Sequence, residues 1–309
     1  MRSINRFSAV IPVIGIIAVI AFVACGQGSA GQGFPSSPED TITHVANRMA
    51  EGHPEVMWQA LPAGYRTDIT ELTHEFAATM DKDAWDKSFA VVRKATLVLQ
   101  DKKDLFLGSQ MLEMAQDNKD EVAANWNTVT AVLSTFAASE IGDLESLKTV
   151  DWEKYISTTG AQLMKIAEAA SADTEEDAYQ NEFLAKAKGL KVEVIEKDAT
   201  TATLRITAPD EDPEDLEMTQ VEGRWVPTDM AKDWDKNVAE AHTKLAEMTP
   251  EKMAQAKMQI MMFVGMAEAF VDQIAQAQTS EELDQMLQGL FGGLMGGGMG
   301  GPPTEAMSQ

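Results

Sequence analysis

The chain reads as a mainly α (α+β) protein: a helical bundle-like domain with a small antiparallel β-meander near residues 190–227. Three observations carry that expectation. Between residues 37 and 291, apolar side chains recur mostly at the three- and four-residue spacing of a helix face. The period drops to two once, between Leu190 and Trp225, where apolar and polar residues alternate as on a half-buried sheet. The helical stretches also begin at residues suited to capping a helix.

Taken in order, Ser37-Pro38-Glu39-Asp40 supplies an N-cap, a proline at the first helical position and two acids. Ile42, Val45, Ala46 and Met49 follow on one stripe, and Gly52 ends the helix. His53-Pro54 opens a short helix that Pro62-Ala63-Gly64 breaks. A third helix is expected from near Arg66 to Met80, with Ile69, Leu72 and Phe76 inward. Asp81 or Asp83 caps a fourth, which points Trp85, Phe89, Val92, Thr96 and Leu99 inward. Asn118 starts a helix carrying Val122, Trp126, Val129, Leu133 and Phe136. Asp151 starts another carrying Tyr155, Thr159, Leu163 and Ile166.

The meander has Leu190, Val192 and Val194 on one side of its first strand, then Ala202, Leu204 and Ile206, then Leu216 and Met218. Turns fall at Lys197-Asp198, Pro209 to Pro213 and Glu222-Gly223. A helix from about Asp229 to Met248 follows. Thr249-Pro250-Glu251 opens a long helix that is apolar nearly all round from Met253 to Ala275, the pattern of a central, buried helix. Lys257, Glu268 and Asp272 interrupt it and argue against a membrane span. Thr279 with Glu282 forms a capping box for a last helix through Leu290. A glycine-, methionine- and proline-rich tail, 292–309, then has little capacity to order itself.

The first 25 residues predict where the protein lives. Arg2 and Arg6 precede an apolar run from Ala9 to Ala24, and Cys25, the only cysteine of the chain, follows at once. This resembles the lipobox of bacterial lipoprotein precursors, although Phe22 stands where Leu is usual. The resemblance implies a signal peptide over 1–24, cleavage before Cys25, and covalent diacylglycerol and N-acyl lipid on that cysteine as the only attached groups. It further implies a flexible tether over 25–36 and membrane attachment through the lipid. The next residue is Gly26, not the Asp that resembles an inner-membrane retention signal. The expected location is therefore the cell envelope, at the outer membrane facing the periplasm if the cell is diderm. The body beyond is similar in style to uncharacterised envelope lipoproteins, a likeness that implies no activity. Val221-Glu222-Gly223-Arg224-Trp225-Val226 resembles the closing hairpin of small secreted NTF2-like domains, and long helices follow where that fold would end.

Charge narrows the partners. The net charge is −24, and removing residues 1–24, which hold two Arg and no acid, leaves −26. Such a body repels nucleic-acid phosphates and anionic headgroups, so no nucleic-acid partner is expected. With no second cysteine for a disulfide, packing alone must hold the fold.

No catalytic constellation stands out. The glycine tail lacks the Lys-Ser/Thr of a phosphate loop, there is no Gly-x-Ser-x-Gly elbow, and the four His show no metal-ligand spacing. Each His reads as a satisfied surface imidazole. The acidic run 210–215 lacks the spacing of a calcium loop and reads as a solvated strand connection. The 19 Met suit an adaptable core better than a metal site. The expectation is a non-enzymatic binding or structural module without a metal, which presents a helical face to an envelope protein. Two alternatives follow. One is a carrier of an apolar ligand between Met-rich helices, for which Met261, Phe263 and Phe270 are the candidate lining. The other is a carboxylate-based hydrolase.

Overall fold

The computed structural model describes residues 33–110, 119–171 and 186–296. Cys25, the segment before it and the tail from residue 297 lie outside the described residues. Helices dominate, and one four-stranded antiparallel meander interrupts them, so the protein is mainly α (α+β).

The first half holds α1 (Pro38–Ala50), α2 (Val56–Ala60), α3 (Ala63–Thr79), α4 (Lys82–Asp101), α5 (Lys103–Leu107) and α6 (Lys119–Ala138). After a 3₁₀ turn come α7 (Leu144–Leu147), α8 (Trp152–Tyr155) and α9 (Ala161–Ser171). The strands β1 (Lys191–Lys197), β2 (Thr201–Thr207), β3 (Glu214–Val221) and β4 (Arg224–Pro227) follow. The chain then returns to helix in α10 (Thr228–Ala246), α11 (Pro250–Gln276) and α12 (Ser280–Gly296).

The capping residues act where the sequence places them. Ser37, Asp81, Asp151 and Thr249 each accept a hydrogen bond from the backbone N–H three residues on, which satisfies one donor that the first helical turn cannot. Thr279 accepts from the Glu282 amide while the Glu282 carboxylate accepts from the Gln278 amide, a capping box ahead of α12. Some boundaries differ from expectation. α3 begins at Ala63, directly after Pro62, because Pro is well tolerated where a helix opens. The helix capped by Asp151 widens into a π turn over Ile156–Gly160 before continuing as α9. The last helix runs on to Gly296.

The meander has the order β1-β2-β3-β4. Glu222 and Gly223, the two-residue loop between β3 and β4, both have positive φ (50° and 77°), as a hairpin turn that matches strand twist requires. The Glu222 carboxylate accepts from the Gly64 amide at 2.9 Å, tying the hairpin tip to the start of α3. A side chain at Gly64 would collide with that carboxylate, since a Cβ there would lie 2.8 Å from Oε1. Ala202, Leu204, Met218 and Trp225 form the buried side of the sheet, against Ile42 of α1. Val194, expected to face inward, is exposed. A break in register between Val194 and Glu196 ends the alternation on this edge strand.

The largest core gathers Trp58, Tyr65, Phe76, Ile141, Trp152 and Ile156, with α3 at its centre. Tyr65 and Trp234 stack at 3.8 Å and 6°, which fastens α10 to α3. Indoles that enter a core need a partner for their N–H. Those of Trp85, Trp126, Trp152, Trp225 and Trp234 donate to Ile141, Leu99, Thr73, Ser36 and Asp68 in turn.

Beside this core, α11, α4, α6 and α9 stand in a row, each packed on the next. α6 runs antiparallel to α4: Arg93 Nη1 donates to the Ala137 carbonyl and Trp126 Nε1 to the Leu99 carbonyl. α11 runs parallel to α4: Lys257 meets Asp81, Asp272 meets Lys94, and Lys102 meets the Ala277 carbonyl. The sequence expectation of a central α11 is overturned, because among the described residues the helix sits at the end of the row, beside α4, with Met258, Met262, Phe263 and Met266 exposed. A pattern that is apolar all round shows that a helix could be covered, not that this chain covers it. Val92 and Val129, expected inward, are likewise exposed.

Candidate functional site

α11 is the element whose surface the rest of the fold leaves unexplained. Twenty-seven residues make it about 40 Å long. Three of its charged residues, Lys257, Glu268 and Asp272, are drawn to α4. Lys257 Nζ lies 2.9 Å from Asp81 and 3.2 Å from Asp83, and Lys94 Nζ lies 2.6 Å from Asp272 and 3.5 Å from Glu268. Burial by itself would raise the Asp81 carboxyl, but the hydrogen bonds from Lys257 and from the amides of Ala84 and Asp83 outweigh it and hold the group below the usual range. Toward its C-terminal end, Val271 and Ile274 are buried, and Phe270 packs on the small core of Ile274, Ala277 and Leu283.

With the charges turned toward α4, the stretch 258–267 carries no ionisable residue. Met258, Met262 and Met266 fall four apart on one stripe, and Phe263 lies beside them. Their exposures are 68%, 56%, 54% and 53%, values of a helix face that little else among the described residues covers. Gly265 lies in this stretch, and a Cβ built on it would meet nothing within 4 Å. Its φ is not positive, so neither backbone conformation nor crowding among the described residues calls for glycine there. A glycine costs an exposed helix interior up to about 1 kcal/mol relative to alanine. Leu97 of the neighbouring α4 is also exposed.

The residues singled out in the sequence are not gathered into one lining. Phe263 is exposed, Met261 is half-buried, and Phe270 belongs to the small core two turns further on. An open, largely polar cleft of about 220 Å³ lies elsewhere, at the β1–β2 turn, where Glu196, Lys197, Thr203, Glu217 and Thr228 are among its walls. Sequence reasoning missed Met258, Met262, Met266 and Gly265 as a surface, having counted the methionines as core filling. The usable signal was the ten-residue interval without charge together with a glycine that no turn requires.

Titratable side chains also meet away from α11. The buried Glu55 carboxylate accepts from Arg48 Nη2 at 3.2 Å and lies 2.9 Å from His53 Nδ1. Burial raises its pKa, against the lowering pull of His53 and Arg48. His242 Nδ1 lies 2.7 Å from Glu75 on the surface. His74 departs from the expected satisfied imidazole, since its Nε2 is buried and finds no hydrogen-bond partner among the described residues. In the acidic run, Asp215 accepts both nitrogens of a bidentate Arg205 at 2.8 and 2.9 Å, and Glu211 pairs with Lys186. Among the described residues, no group of three or more His, Cys, Asp and Glu side chains is placed to hold a metal ion. Set against protein families, curated proteins and solved structures, the chain matches none.

Proposed function

We propose that the protein is a lipid-anchored component of the cell envelope, a non-enzymatic binding or structural module that presents the outward face of α11 to another envelope component. The observation that carries this reading is the uncovered stripe of Met258, Met262, Met266 and Phe263 on a helix whose charges are all spoken for on its flank toward α4 or lie at its ends. A contiguous apolar surface with polar surroundings marks an interaction site, and Met side chains adapt to varied partners. The anchor rests on the leader and the lone Cys25. Acyl chains contribute about 0.8 kcal/mol per buried CH₂, so several of them hold a protein firmly to a bilayer.

Three variants of the full chain, made in its native host, test the two halves of the proposal. Cys25→Ser should abolish fatty-acid labelling and release the protein from the membrane fraction; retention through an uncut leader overturns the anchor. A photo-activated cross-linking residue at position 262 should give a discrete protein adduct within the envelope, and one at the exposed position 233 on α10 should not. The docking reading falls if the two sites behave alike.

A further inference from the structure

Arg66 and Arg224 are placed against the ordinary preferences of a cation. The chain holds 49 acids, and Arg48, Arg93 and Arg205 each donate to a carboxylate or a carbonyl of the protein. Arg66 and Arg224 donate to no acceptor among the described residues, and Arg66 Nε is buried. A buried donor of a charged group is costly to leave unpaired. Arg66 is also the fourth residue of α3, whose first turn carries no acid, so its charge meets the positive end of the helix dipole. Arg224 opens β4, with its guanidinium 4.2 Å over the Phe34 ring, which in turn meets His44 edge to face. Glu222, two residues before Arg224, accepts from the amide of Gly64, two residues before Arg66, and so draws the two arginine-bearing segments together. Burial, and then the charge of Arg66, lower the pKa of Arg224, so the two cations sense each other.

We infer that Arg66 and Arg224 form a binding site for a phosphate group. Each guanidinium presents a planar fork of N–H donors that matches two oxygens of an oxyanion, and a phosphate has oxygens enough to serve both arginines. Held between them, it supplies the acceptors they lack among the described residues and offsets their mutual repulsion. The net charge of −24 repels dissolved anions at long range, so no field steers free phosphate to the pair. A lipid headgroup phosphate needs no steering once the proposed anchor holds the body at a bilayer. Phe34 follows Cys25 by nine residues, about 30 Å of fully extended chain. The headgroup source rests on the anchor reading, whereas the site itself does not.

Calorimetric titration of the full-length, detergent-solubilised protein at constant ionic strength tests the site. The probes are inorganic phosphate and glycerophosphoglycerol, the deacylated headgroup of phosphatidylglycerol, each added alone. At least one should bind and raise the melting temperature, as a ligand of the folded state does. Tighter binding of glycerophosphoglycerol assigns the headgroup as source, and tighter binding of inorganic phosphate assigns the free anion. Arg66→Met and Arg224→Met should each weaken binding by about tenfold or more, the loss of a charged hydrogen bond. Arg205→Met, at a guanidinium already paired with Asp215, should leave it unchanged. Without ligand, Arg66→Met keeps the aliphatic stem and removes a cation from the helix start and from beside Arg224. It should therefore melt no lower than the parent chain. Melting several degrees lower would show that the chain itself supplies Arg66 with a partner, and would overturn the site. Failure of both probes, or binding that survives both substitutions, would overturn it too. Fatty-acid labelling at Cys25 is read separately, so loss of the anchor reading removes the headgroup source and leaves the phosphate site standing.

Discussion

Lys94 Nζ lies 2.6 Å from Asp272 Oδ1, and this contact sets the register of α11 on α4. The same ammonium reaches Glu268 at 3.5 Å, one turn earlier on α11, and its pKa is raised, chiefly by the hydrogen bond to Asp272. Further toward the N-terminal ends of the two helices, Lys257 bridges Asp81 and Asp83, so the parallel pair is pinned by ions at two levels.

These ions are half in solvent, and exposed pairs contribute about 0.2–1 kcal/mol each. A double-mutant cycle of Lys94→Met with Asp272→Asn should give a small favourable coupling that shrinks in about 1 M salt. Denaturant titration of the four proteins at two salt concentrations measures it, and a coupling indifferent to salt would place the pair in a drier setting than the one described.

The two phenylalanines of α11 should separate cleanly. Phe270 packs on Ile274, Ala277 and Leu283 while remaining partly exposed, so Phe270→Ala should cost about 2 kcal/mol, less than a fully buried ring. Phe263→Ala, on the open face, should stay within about 0.5 kcal/mol. Melting curves taken at dilutions that disfavour association check both values. A large loss at Phe263 in a dilute, single-copy protein would mean that some part of the chain covers it.

In the sheet, Leu204 is fully buried and stands opposite Leu216, while Arg205 is held by Asp215 near the surface. Leu204→Asp should leave a charge buried without a partner and unfold the domain. Arg205→Asp should be mild, losing the pair and setting two like charges opposite each other at the surface. Circular dichroism and soluble yield report the difference, and similar losses at both positions would contradict this register.

Glu55 makes a prediction about pH. Its pKa in the fold is raised above the ordinary glutamate value, mainly by burial, with His53 and Arg48 pulling it back. A carboxyl raised in this sense favours the fold while protonated. That contribution is complete below the ordinary value and is lost as pH rises through the raised one. Glu55→Gln cannot ionise, so its stability relative to the parent chain should improve as pH climbs through that window and level off above it. Urea titrations of both proteins from about pH 3 to 8 decide the matter. A difference that runs the other way would mean that Arg48 and His53 hold the charge more tightly than burial penalises it.

Much of this fold was written locally. The caps at Ser37, Asp81, Asp151, Thr249 and Thr279 were legible because a hydroxyl or carboxylate three residues ahead of a free amide acts within one turn, whatever surrounds it. The strands were legible because a strand repeats every two residues, and the Glu222-Gly223 turn because two positive φ angles favour glycine. The candidate face was not legible. Met258, Met262, Met266 and Phe263 have the apolar character of core residues, and from sequence alone they count as core. What exposes them is the position of α11 at the end of a row, where Lys94 and Lys257 hold one flank and, among the described residues, no further helix arrives. Local sequence determined the helix, its bounds and its apolar surface, since those depend on neighbours within a turn. Which part of that surface was left uncovered depended on contacts between residues far apart in the chain, and only the tertiary structure decided it.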